Sequence, residues 1–167
     1  MNMKHCYEED KEKKYLIEVL EGSLMYEINY CETFALAFEL KVDKNWIVPR
    51  FSLTIDAQCW FRDMDEWENK IKSYHSEGAE DICLGAELIG LRYKGATFVK
   101  KVEYFEGYFS IMFSSGDKLF ISNDSDSDFS WSLDEIQSDI EKPQTSIYCC
   151  DRKLYSNNFQ KFIERYN

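Results

Sequence analysis

The densest run of oxygen ligands in the chain is Asn123-Asp124-Ser125-Asp126-Ser127-Asp128-Phe129-Ser130-Trp131-Ser132-Leu133-Asp134-Glu135. Asp124, Asp126, Asp128, Ser130, Ser132 and Glu135 stand at positions one, three, five, seven, nine and twelve of a calcium-loop template. Position six needs glycine for its sharp turn, and here it is Phe129. The residues before the run also pattern as a strand, not as an entering helix. The expectation is therefore no metal site. The run reads as a solvated acidic loop followed by a helix capped near Ser132.

Other chemistry is sparse. The six cysteines are Cys6, Cys31, Cys59, Cys83, Cys149 and Cys150, with no C-x-x-C pair and only two histidines in the chain. That spacing argues against zinc. Cys83 and His75 are the types a nucleophile pair needs, yet each fits a structural role better. There is no G-x-S-x-G, no phosphate-binding P-loop and no G-x-G-x-x-G. Carboxylates are too plentiful to single out an acid–base couple. The chain is expected to be no enzyme and to carry no cofactor.

The elements that position these residues are strands. Gly95 to Trp131 holds three apolar runs at strand length: Thr97–Phe105, Tyr108–Phe113 and Lys118–Ile121. Gly107 and Gly116 punctuate them, which is a β-meander pattern. Alternation places Phe109, Ile111 and Phe113 on one face, continued by Leu119 and Ile121. The same grammar runs from Gly22 to Trp60, where Phe34, Leu36, Phe38, Leu53 and Ile55 repeat the spacing. Each copy ends in a tryptophan, Trp60 or Trp131. A degenerate duplication is the reading, against the chance likeness of any two meanders.

The 167 residues are expected to form a single α+β domain with an antiparallel β-rich core and flanking helices. Repeat 1 covers about 15–62, a helix about 63–75, repeat 2 about 84–133, and a C-terminal strand and helix 145–167. The first helix reads as Glu8–Glu21, ended by Gly22, with a strand over Tyr15–Leu20 as the competing reading. Asp63 or Asp65 caps the helix between the repeats. Glu80–Tyr93 is ambiguous, with Leu84, Leu88, Ile89 and Leu91 suited to a short helix. Ser146–Cys150 reads as a last strand, and Ser156 or Asn157 as the cap of a terminal helix carrying Phe159, Phe162, Ile163 and Tyr166. The Glu39–Arg50 connection carries Trp46, Ile47 and Val48, either as an apolar contact tip or as strand ends folded back.

The net charge of −11 repels nucleic acid and anionic membranes and suits a basic partner. No run approaches the ~18 apolar residues of a membrane span, and Met1–Tyr7 lacks a signal-peptide core. A cytoplasmic location with reduced cysteines is expected.

The copy from Gly95-Ala96-Thr97-Phe98-Val99 through Leu119-Phe120-Ile121 to Trp131-Ser132-Leu133 resembles small bacterial β-repeat domains found as immunity proteins of polymorphic and contact-dependent growth inhibition toxins. Gly22 to Trp60 resembles the front half of such domains. The helix after Trp60 and the long Glu39–Arg50 connection depart from that pattern, so no functional residue is carried over. The resemblance implies a non-enzymatic protein that binds and neutralises a cognate toxin. The alternative is an interaction or scaffold module unrelated to toxins. The partner surface is expected at Asp124, Asp126, Asp128 and Phe129, with Asp134 and Glu135 close behind and Glu103 and Glu106 extending it. A toxin with a basic face fits such a surface.

Overall fold

The structure, a computed structural model, describes residues 3–40, 48–95, 97–136 and 144–158, with side chains of the first helix from Lys11 onward. Helix α1 spans Met3–Leu20. Strands β1 (Leu24–Cys31), β2 (Thr33–Glu39), β3 (Arg50–Ile55) and β4 (Cys59–Phe61) follow. Next come helices α2 (Met64–Ser73) and α3 (Ala79–Tyr93). The chain continues with β5 (Val99–Tyr104), β6 (Tyr108–Phe113), β7 (Lys118–Ser122), β8 (Trp131–Glu135), β9 (Ser146–Cys150) and β10 (Lys153–Asn157). The strands form two antiparallel sheets, ordered β1-β2-β3-β8-β9-β10 and β4-β7-β6-β5. The fold is α+β with a β-rich core.

The two meanders pair in the same register. Phe34 faces Ile55 and Leu36 faces Leu53 in the first; Phe109 faces Ile121 and Ile111 faces Leu119 in the second. Tyr30 faces Phe34 as Tyr104 faces Phe109. Both first strands carry a bulge at the same place, between Met25 and Glu27 and between Val99 and Lys101. All ten of these inward positions except Tyr30 and Tyr104 are buried. Burying one face of every strand fixes such a register, because a one-residue slip would turn each apolar set outward.

Each meander lends its fourth strand to the other. β4, at the end of repeat 1, pairs with β7; β8, at the end of repeat 2, pairs with β3. The first strands also meet: Leu24 bridges Phe98, with Val99 N–H donating to Ser23 C=O at 2.9 Å and Met25 N–H to Thr97 C=O at 3.0 Å. The two tryptophans expected to be equivalent are not. Trp131 opposes Ile55 in the core and contacts Phe109 at 4.8 Å, whereas Cys59, not Trp60, opposes Ile121. Trp60 therefore faces outward, stacked on Phe120 at 5.5 Å.

Several boundaries move. α1 begins at Met3, ahead of the expected Glu8. α2 is capped by Asp63, whose carboxylate accepts from Asp65 N–H at 2.8 Å. α3 is a full helix of 15 residues. No helix follows the acidic loop at Ser132; the residues there form β8. Trp131, Leu133 and Glu135 point inward and Ser132 and Asp134 are half-buried, so a period of two wins. Ser156 and Asn157 end β10, whose hairpin with β9 turns at Asp151-Arg152, and the terminal helix expected after them lies outside the described residues. Phe159, Phe162, Ile163 and Tyr166, like Trp46, Ile47 and Cys6, lie outside the residues described at side-chain level.

One buried polar group ties the sheets and the acidic loop together. The fully buried Asn123 accepts from the Trp131 indole at 3.0 Å and donates to Phe105 C=O at 3.2 Å. Its backbone N–H donates to Gly107 C=O at 2.9 Å. Asn123→Leu leaves the indole N–H of Trp131 without its acceptor, which costs about 1–3 kcal/mol. Urea denaturation is expected to show that loss. An unchanged midpoint would remove Asn123 from the scaffold.

Candidate functional site

Sequence spacing pointed to one acidic face, and the structure divides it. Asp124, Asp126, Asp128 and Phe129 are exposed on the loop between β7 and β8. Glu106 lies at the same end, in the turn that Asn123 holds beside the loop. Asp124 pairs with Arg152, and that guanidinium holds its carboxyl below the ordinary range. Glu103 sits further along β5, between Lys101 at 2.6 Å and Lys118 at 3.0 Å, and those ammonium groups lower its carboxyl as well. Asp134 and Glu135 do not follow close behind. They occupy the far end of β8, ~13 Å along a strand of that length. Glu135 is buried, so it cannot share an exposed face with the loop. The calcium template fails for the same reason: Ser132 and Glu135 lie in an extended strand and cannot wrap an ion with Asp124. Among the described residues no group of three or more His, Cys, Asp or Glu side chains converges as a metal site.

Catalytic geometry is equally thin. Cys83 is fully buried in α3, and burial pushes its thiol up, away from the thiolate a nucleophile needs. His75 is exposed in the loop before α3.

The concave feature of the surface lies elsewhere, between β1 and α3. It is a groove of about 570 Å³, lined mainly by apolar groups from Ile28, Tyr30, Phe34, Ile82, Gly85 and Ile89. α3 produces it because it carries two apolar stripes. Cys83, Leu84, Leu88 and Leu91 face the core and are buried. Ile82, Ile89 and Tyr93 lie on another side, at the i, i+7, i+11 spacing of a helix face. They remain 47%, 53% and 90% exposed, and Tyr30 opposite them is 54% exposed. The Tyr30 hydroxyl donates to Asp81 Oδ2 at 2.7 Å, joining β1 to α3 across one end. The Tyr30 ring leans on Phe34 with centroids 4.7 Å apart.

Two further properties mark the groove. β1 is the edge of its sheet, with β2 as its one partner strand among the described residues. Past the Leu24–Phe98 bridge and the bulge, Glu27–Cys31 has no strand on its outer side among the described residues and offers its backbone groups along the groove wall. At the Tyr30 end the groove runs into a second, polar pocket of about 300 Å³, which shares Phe34 and Asp81 with it. Glu32, Asp56, Glu80 and Asp81 line that pocket. Among the described residues none of these four carboxylates is in an ion pair. Burial, with the charges of Asp81 and Glu80 beside it, pushes the neighbouring Cys59 thiol up to about 12. Sequence reasoning passed over this site. Its signal was the second stripe Ile82–Ile89–Tyr93, which a one-faced helix would not carry.

Two outcomes test this description. Gly85 is a helix-interior glycine, and a Cβ there would meet the Phe34 ring at 3.9 Å, an ordinary contact. Gly85→Ala is expected to stabilise the fold by about 0.5–1 kcal/mol while narrowing the groove floor; a lower thermal midpoint would contradict the placement. Asp134 is half-buried and its carboxyl is raised by burial, although the Ser132 hydroxyl donates to it at 2.7 Å. The folded state thus holds that proton more tightly, and stability is lost as pH rises past the ordinary value near 3.8. Asp134→Asn is expected to melt higher than wild type at pH 7 and level with it at pH 3. A variant less stable at pH 7 would show that the charge is favourably held. No family model, curated protein or solved structure matches this chain.

Proposed function

We propose that this chain is a cytoplasmic immunity protein that binds a cognate bacterial toxin and blocks it, with no catalytic step of its own. One observation carries the reading. Tyr30, Ile82, Ile89 and Tyr93 stand exposed together on a strand and a helix, beside an edge with no further strand among the described residues. Contiguous apolar surface of this kind marks interaction sites, and aromatic anchors rimmed by charge are what binding hot spots use. The net charge of −11 suits a basic partner such as the active face of a toxin that works on nucleic acid. The resemblance of the two meanders to immunity-protein domains points the same way.

In this reading the acidic loop assists and does not anchor. Asp126, Asp128 and Glu106 are exposed and outside the Arg152 pair, and Phe129 is 39% exposed among them. Charges so placed raise the association rate more than they hold the complex.

The test is genetic and then kinetic. The neighbouring reading frame, expressed alone, is expected to arrest growth, and co-expression of this protein to restore it. Replacing Asp124, Asp126 and Asp128 by Asn is expected to slow association severalfold and to flatten its salt dependence, with dissociation little changed. A neighbour that is harmless alone, or toxic and not rescued, would overturn the immunity reading and leave an interaction module unrelated to toxins. Unchanged association kinetics would remove the acidic loop from the encounter.

A further inference from the structure

We infer that the groove takes an extended segment of the partner, added as a strand to the free edge of β1, with apolar side chains against α3 and a basic side chain in the carboxylate pocket. The inference rests on the protein-binding reading above and specifies its chemistry.

The backbone argument comes first. Glu27–Cys31 has one side paired to β2 and no strand on the other among the described residues. An extended chain laid there gains main-chain hydrogen bonds that a helix could not make. The groove floor is built for alternate side chains. Ile28 and Tyr30 are two apart on one face of β1, and Ile82 and Ile89 rise opposite them on α3. Ile28 to Cys31 spans ~10 Å at strand rise, enough for three or four residues of an added strand, and Glu32 follows in the turn to β2.

Charge then selects the occupant. A second copy of this chain would bring Glu27 and Glu32 against their own equivalents in a protein of net charge −11. A basic side chain meets the opposite situation: Glu32, Asp56, Glu80 and Asp81 surround the end of the groove with no cation paired to any of them among the described residues. The opposite end carries Arg92 beside Tyr93. The segment therefore fits in one direction, with its basic end over the carboxylates. Alternating apolar residues ending in Arg or Lys is the chemistry that matches.

The test needs no identified toxin. Phage-displayed random dodecapeptides are selected on the whole protein. The expected result is enrichment of sequences with two or three Ile, Val, Leu or aromatic residues at alternate positions and an Arg or Lys beyond them. Binding of a synthetic winner is expected to weaken at least tenfold on Ile89→Asp, an exposed position where the fold is retained, as circular dichroism would verify. On the protein carrying Glu32→Lys and Glu80→Lys, repeat selection is expected to replace the basic residue by Glu or Asp. The inference is overturned by a lack of enrichment, by winners without alternation, by winners that bind Ile89→Asp equally, or by a basic preference that survives the charge swap. It is also overturned if Ile89→Asp still rescues cells from the toxic neighbour, an outcome that leaves the immunity reading standing. Groove selection as described with a harmless neighbour would do the reverse.

Discussion

The bridge between Leu24 and Phe98 is the contact on which this fold turns. Two meanders of the same register meet there, first strand to first strand, through reciprocal backbone bonds around Ser23, Thr97 and Val99. The bulges at Tyr26 and Lys100 come directly after it, and a bulge bends its strand and increases the twist. Beyond that point β1 and β5 part. The last strand of each repeat then crosses to the other sheet, so neither meander can fold away from its partner. The bridge takes only the Leu24 end of the outer edge of β1 and leaves Glu27–Cys31, past the bulge, without a partner strand there among the described residues. The free edge follows from the way the two copies are joined.

Natural proteins usually blunt such an edge with charge, brevity or a covering element. Glu27 and Glu32 supply charge here, and α3 stands alongside without pairing to it. α3 could have closed the gap. Its outer stripe of Ile82, Ile89 and Tyr93 instead faces water, with glycine at position 85 keeping the floor low beneath Phe34. A helix that spends three large apolar side chains on solvent loses their burial energy, about 1.5–3 kcal/mol for each such side chain fully buried. A partner that covers them recovers it. The carboxylates at the end of the same groove explain why that partner should not be another copy of this chain. The acidic loop at the opposite repeat is partly neutralised by Arg152, and it contributes long-range field more than contact.

Much of the scaffold was legible before any coordinates. Phe109, Ile111, Phe113, Leu119 and Ile121 alternate cleanly, and so do Phe34, Leu36, Phe38, Leu53 and Ile55; each of these ten is buried. Period-two burial leaves a mark that short strands keep. The exchange of β4 and β8 was not legible, because nothing local tells a strand which sheet to join. The Trp60–Trp131 match misled for the same reason: the large residue sits one position off the equivalent register, and Cys59 takes the inward place. At β8 the expected helix capped near Ser132 gives way to a strand, because Trp131 and Leu133 already follow the strand period. The site was missed because charge density drew attention to Asp124–Asp128. A groove needs two elements far apart in sequence, and Tyr30 and Asp81 stand 51 residues apart. What the chain did show was a helix with more apolar residues than one face can hide.

The central claim is that the outer edge of β1 is free and ready to pair. Native-state amide hydrogen exchange, read residue by residue on the unliganded protein, tests it directly. The alternate amides of Glu27–Cys31 that point away from β2 are expected to exchange at least about 100-fold faster than the amides of Leu36 and Ala37 in β2, which lie in doubly paired positions. Uniform slow exchange along the whole of β1 would mean that the edge is already covered, and would contradict the account.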